Sequence, residues 1–144
     1  MSTHQEVAYE FVCKRKYTGS RMFCEDTMKG FTVFSYGYHF PIARHTDWGY
    51  AFNKDERSVS TTRHKNYVMN AISGTVIEFV GCDEDKALET FKQNLGEIKW
   101  NMDKMERART KVQVYQDKIE YLLEQNKLIK ERYLKLKMVE EIVQ

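Results

Sequence analysis

Two short stretches concentrate the side chains able to do chemistry: Ser35-Tyr36-Gly37-Tyr38-His39-Phe40-Pro41 and Ser60-Thr61-Thr62-Arg63-His64. In the second, hydroxyl residues that favour helix N-caps run straight into Arg63, His64 and Lys65, which places three basic side chains in the first turn of an expected helix. Unpaired N–H groups and the helix dipole already make that end positive. Cations there are unfavourable unless an anion accompanies them. Backbone N–H groups, the Thr61 or Thr62 hydroxyl and the Arg63 guanidinium would together bind a phosphate. The plainer alternative is that Arg63 and Lys65 point into water at little cost.

His39 and His45 share strand parity and are expected on one side of a sheet. With His64 they could hold a metal, or His39 and His64 could serve as base and acid of a ribonuclease-like phosphodiesterase with Arg63 on the phosphate. No pair has the i, i+4 spacing of a strong helical metal motif, and no carboxylate falls at a telling distance. Hydrogen-bonded structural histidines are the competing reading. Tyr36, Tyr38 and Trp48 beside Arg44 and Arg63 could stack on the bases of a single strand, or pack at hairpin ends. The candidate anion or nucleic-acid site is therefore Tyr36, His39, Thr61, Thr62, Arg63 and His64. No catalytic residue, metal ligand or cofactor is assigned.

The elements that must position these residues follow from the hydrophobic period. Val7–Tyr17 alternates as a half-buried strand would. Arg21–Lys29 is open between a short helix and a loop. Phe31–Tyr36, Tyr38–Arg44 and Gly49–Asn53 read as a small antiparallel meander. Pro41 lacks an N–H, so its strand belongs at an edge or carries a bulge near Gly37. A helix is expected from the Ser60-Thr61-Thr62 caps to about Ser73, closed by Gly74, and Thr75–Val80 as a last strand. The expected fold class is α+β: a small antiparallel sheet with one packed helix, followed by a C-terminal amphipathic helix or helical hairpin.

From Asp83-Glu84-Asp85, an acidic start suited to a helix N-terminus, the period becomes helical. Leu88, Phe91, Leu95, Ile98, Met102 and Met105 form one heptad seam. A second, comprising Val112, Tyr115, Ile119, Leu122, Asn126, Ile129, Tyr133 and Leu136, is out of phase with it across Met105–Ala108–Val112. With no Gly or Pro between Lys104 and Lys111, a continuous helix is favoured, and a hairpin closing around Glu106–Thr110 is the alternative. The flanks of the second seam hold Lys111, Lys118, Lys130, Arg132 and Lys137 without an acid. Three partners suit such a seam: a second copy in a homo-oligomer, the chain itself by folding back, or an acidic helix of another protein. The expected division is residues 1–82 as head and 83–144 as stalk.

Composition excludes several classes. The 144 residues carry a formal net charge of +2, with neither half polybasic, so charge alone points to no nucleic-acid tail. No apolar run reaches the ~18 residues of a membrane span, and the start lacks signal-peptide order, so no membrane partner and a cytoplasmic location (host cytoplasm if viral) are expected. Cys13, Cys24 and Cys82 are odd in number and without CxxC spacing, which suggests reduced thiols.

The Ser35–Ala43 stretch, Asn53, Ser60–His64 and Tyr67-Val68 resemble a small domain of unknown function recurring in phages and prokaryotic genomes, which carries SYGxHFP and TTxRH-like elements. The resemblance covers about residues 30–80. It implies a phage or mobile-element context and brings no established chemistry. Three functions remain in view. The leading one is a non-enzymatic phage-type interaction protein, with a head site for an anion or nucleic acid and a stalk for oligomerisation. The others are an inhibitor that binds a host defence or transcription protein, and a small His-dependent phosphodiesterase.

Overall fold

The structure, a computed structural model, describes residues 3–134; the expected seam residue Leu136 lies outside them. The fold is α+β, and the chain divides into two compact units, Met1–Asp83 and Glu84–Gln144.

The first unit begins with helix α1, Thr3–Val12, where a strand was expected. The pattern misleads because Val7 and Phe11 satisfy both a period of two and an i, i+4 spacing. Ala8 decides the matter. It is buried beside Val7 and Phe11, whereas Tyr9, which alternation would place inward, is 52% exposed. Six strands follow in chain order across one sheet: β1 Tyr17–Thr18, β2 Met22–Thr27, β3 Gly30–Ser35, β4 Pro41–His45, β5 Tyr50–Asn53 and β6 Val76–Phe79. The ambiguous segment 21–29 is thus mostly strand. β1 to β5 pair antiparallel, but β6 lies parallel to β5, so the sheet is mixed. The parallel pairing follows from helix α2, Val59–Ala71, which supplies the crossover between them. Two helices, not one, therefore accompany the sheet.

Pro41 is the first residue of a central strand, and the register shifts between Val33 and Phe34 opposite it, so the bulge accommodates the missing donor. One sheet face packs Met22, Cys24, Val33, Ala43 and Phe52 into a core with Val7, Ala8 and Phe11 of α1 and Val68 and Ile72 from the end of α2. Each Val, Ile, Phe or Met among them contributes roughly 1.5–3 kcal/mol by leaving water.

In the second unit the favoured continuous helix is replaced by two, α3 Ala87–Arg107 and α4 Val112–Tyr133. The break needs neither Gly nor Pro: Ala108 is extended and Lys111 adopts φ 61°, the left-handed region. Asn94 pairs with Asn126 and Tyr133 with Glu84, so the helices run antiparallel. The second seam is thereby used within the chain. Leu122, Asn126 and Ile129 are buried, Tyr115, Ile119 and Tyr133 half-buried, and Val112 exposed. On α3 the buried stripe is Ala87, Thr90, Phe91, Asn94, Ile98 and Asn101. It is rotated from the expected seam, leaving Met102 53% exposed. Apolarity alone did not choose the stripe, because the Asn94–Asn126 carboxamide pair claims an inward place. Among the described residues no helix is long and apolar enough to cross a membrane.

Candidate functional site

Helix α2 starts earlier than its hydroxyl cluster suggests. Ser58 is the N-cap: its Oγ accepts the Thr61 N–H at 3.1 Å and donates to Thr61 Oγ1 at 3.1 Å. The Thr62 hydroxyl donates to the Ser58 carbonyl. Thr61 and Thr62 thus serve the cap, and Thr61 is buried. With the helix beginning at Val59, Arg63, His64 and Lys65 fall in its second turn. The argument that placed cations on the first-turn N–H groups therefore does not hold here. Lys65 instead donates to the Asp55 carbonyl at 2.8 Å, and burial holds its pKa below the ordinary lysine range. Arg63 is exposed.

His64 turns inward. Its Nδ1 and the Ser35 Oγ are hydrogen bonded at 2.6 Å, and the residue is 2% exposed. Strand β3 directs Ser35 to the helical side of the sheet, next to core residue Val33 across the bulge. The His4 ring meets His64 edge-on at 4.5 Å between centroids, and the Tyr36 ring lies 5.3 Å away. Burial first, then the positive charge of His4 and Arg21, pushes the His64 pKa down to about 4. A neutral imidazole is the form this site holds at physiological pH.

Tyr36 is the exposed member of the group, at 47%. Its backbone sits at φ 66°, a region that bulky L residues rarely adopt. Its N–H donates to the Arg21 carbonyl at 2.8 Å, which pins the left-handed turn. Its hydroxyl accepts from Ser60 and from Arg21, and these bonds hold the phenol pKa below that of an ordinary tyrosine.

The structure therefore brings together Tyr36 and His64 from the candidate set and adds His4, Arg21, Ser35 and Ser60. Arg21 and His4 carried no sequence signal, since each lies in a segment whose element was misread or left open. His39 is not in a strand and does not share a face with His45. It is exposed on the turn before β4, where a Cβ on Gly37 would come within 2.9 Å of the His39 Nδ1, so glycine gives the ring its place. His45 is half-buried, donates from Nε2 to the Phe11 carbonyl at 2.7 Å, and burial lowers its pKa. Among the described residues no three His, Cys, Asp or Glu are grouped to hold a metal ion.

The arrangement can bind and orient an anion. An exposed tyrosine hydroxyl, a serine hydroxyl and a guanidinium converge, groups of the kind that hydrogen bond an anion. A proton-transfer role for His64 is poorly served, because its side chain is enclosed and one nitrogen is taken by Ser35. Comparison of the chain with protein-family models, curated proteins and solved structures finds no match.

Proposed function

We propose that this is a non-enzymatic interaction protein of the phage type that its Ser35–Ala43 and Ser60–His64 elements resemble. Its head would bind the phosphate of a nucleic acid at Tyr36, Arg21 and Ser60. The observation that carries this reading is Tyr36: a solvent-facing aromatic held at φ 66°, its hydroxyl gripped by Ser60 and Arg21. Backbone outliers of this kind cost on the order of 1–3 kcal/mol and persist where the surroundings over-determine them, often at binding sites. An exposed ring beside a guanidinium offers a base something to stack on and a phosphate something to bond.

The test is fluorescence anisotropy with a short single-stranded oligonucleotide across a salt series. If about three phosphates are engaged, log K should fall with log[salt] at a slope near −2. Arg21→Ala and Tyr36→Ala should each weaken binding about tenfold, a loss of roughly 1.4 kcal/mol. Absence of binding at low salt, or binding indifferent to salt, would overturn the reading.

The hairpin supports a second part of the proposal, self-association. Trp100, Val114 and Leu123 are large apolar side chains left 56%, 62% and 53% exposed, surface that a second copy would cover. Light scattering should give a mass above the 17.2 kDa monomer, and Leu123→Glu should return it to monomer. A monomer at every concentration removes this part and leaves the head site standing.

A further inference from the structure

The inward lines of α3 and α4 are two halves of one heptad seam. On α3, Ala87, Phe91, Asn94, Ile98 and Asn101 are buried and Met105 is half-buried, stepping alternately by four and three residues. On α4 the same alternation runs through Tyr115, Ile119, Leu122, Asn126, Ile129 and Tyr133, all buried or half-buried. Ala108 and Val112 join the two halves without a missed step. A hairpin does not require this. Two helices separated by a turn can each choose a face, and their phases must agree only where one helix is to carry both. From this register we propose that the hairpin also opens at its turn into one continuous helix, which pairs antiparallel with the same helix of a second copy, each chain exchanging α4.

The pairing within the hairpin already has the symmetry that such a dimer needs. Asn94 and Asn126, joined by a hydrogen bond, are equidistant from Thr110. Counting outward from Thr110 in both directions sets Asn101 against Ile119, Ile98 against Leu122 and Phe91 against Ile129, so each seam position meets another. A two-fold axis close to Thr110 lets a second copy make these pairs in place of the chain itself. The hairpin contacts are kept, and the Asn94–Asn126 pair forms twice across the dimer. Extension also adds burial at the centre: Val112, 41% exposed in the hairpin, comes opposite Ala108 of the second copy.

The turn is the weak point of the closed form. Lys111 holds φ 61°, and neither Ala108 nor Lys111 has a side-chain cap at its helix end. Residues 104–112 are mostly good helix formers. Extending the helix returns Lys111 to helical backbone and pairs the N–H and C=O groups left over at the two ends. Short, strained connections favour exchange of this kind. Charge opposes it. Residues 104–111 hold Lys104, Arg107, Arg109 and Lys111 against Glu106 alone, and two copies crossing at Thr110 bring both clusters together. Screening that repulsion favours the dimer, so salt promotes the exchange.

This inference does not rest on the exposed surface of Trp100, Val114 and Leu123, nor on the Tyr36 reading. The test is the distance between nitroxide labels on Lys92→Cys and Lys127→Cys, two exposed positions, in the full chain carrying Cys13→Ser. It is measured by double electron–electron resonance after long incubation at high concentration with an excess of unlabelled chain. In the hairpin the labels lie near one another on facing stretches of α3 and α4. In the exchanged dimer about 50 Å of helix separates them, in a species of twice the 17.2 kDa monomer mass. Raising the salt concentration should increase the long-distance fraction. Lys111→Gly frees the closed turn of its cost and weakens the continuous helix, and should lower the dimer association constant at least about tenfold. Leu123→Glu should leave the long distance in place, because residue 123 faces the same positions of a partner helix in both forms. A monomer after incubation, a dimer showing only the short distance, a long-distance fraction that does not rise with salt, or Lys111→Gly exchanging as readily as the parent each overturns the proposal. A short-distance dimer abolished by Leu123→Glu would instead be association of closed hairpins through their exposed surface.

Discussion

Replacing Asn126 by leucine should destabilise the hairpin, and replacing Asn94 as well should restore it. Asn94 Nδ2 donates to Asn126 Oδ1 at 2.9 Å, and Asn126 Nδ2 donates to the Phe91 carbonyl at 3.3 Å. Both residues are almost fully enclosed, at 1% and 6% exposure. Asn94 Oδ1 has no hydrogen-bond partner among the described residues, so Asn126→Leu strands the whole Asn94 carboxamide in an apolar setting. Stranding a buried donor costs about 1–3 kcal/mol, and Asn94→Leu does the same to Asn126. The double leucine variant leaves no stranded amide and should fall within about 1 kcal/mol of the parent, because shape-matched apolar pairs replace buried polar pairs at little cost. Urea unfolding followed by far-ultraviolet circular dichroism on all four proteins gives the coupling energy. It should exceed by severalfold the ~0.5 kcal/mol within which independent sites add. Additive losses would sink the reasoning, since they would mean that the two carboxamides do not depend on each other.

Acid should weaken the fold through His64. Its folded pKa of about 4 lies below the 6.5 of an ordinary histidine, so the unfolded chain binds the proton first; stability is complete above pH 6.5 and is lost as pH falls toward 4. The loss should be on the order of 3 kcal/mol, and His64→Gln should flatten that part of the profile; an unchanged slope would show that other groups govern it. Gly49→Ala should be severely destabilising, because the new Cβ would come within 2.2 Å of the Thr75 carbonyl at φ 150°. Gly96→Ala, with open space at its Cβ inside α3, should instead raise stability by about 0.5–1 kcal/mol; an unchanged or higher melting temperature for Gly49→Ala, or a lower one for Gly96→Ala, would contradict the corresponding expectation. Thiol labelling of the native protein should modify Cys13 fast and the others slowly. Cys13 is exposed, Cys24 and Cys82 are buried, and burial pushes the Cys24 pKa up to about 11. Equal rates would count against that burial.

What the sequence revealed about the head depended on how many structures one pattern allows. Gly30–Ser35 and Val76–Phe79 were legible because their β-branched and aromatic residues are flanked by glycine or turn residues, which leaves a helix little room. Val7, Tyr9, Phe11 and Cys13 were not, because a step of four residues, as from Val7 to Phe11, covers two strand repeats and also about one helical turn. The hairpin turn escaped for the opposite reason. Residues 108–111 contain no Gly or Pro, and a lysine at φ 61° has no sequence signature; the phase change between seams marked the place without naming the event.

The site shows how a small error of boundary moves chemistry. Capping α2 at Ser58 rather than within Ser60–Thr62 moves Arg63 and His64 from the first turn, where N–H groups are unpaired, into the second. Thr61 and Thr62 then become capping groups, and His64 points to Ser35. The TTxRH-like element thus joins a cap to a buried imidazole, and its partner element supplies both Ser35, which holds that imidazole, and Tyr36, which is turned outward beside it. The two stretches first singled out for their chemistry do meet, through the Ser35–His64 hydrogen bond. Under the proposed reading a nucleic acid would meet Tyr36, Ser60 and Arg21 at the surface, with the His64 ring 5.3 Å from that of Tyr36. Tyr36→Phe separates the two contributions: it keeps the ring over His64 and removes the hydroxyl, so it should spare stability and weaken only anion binding.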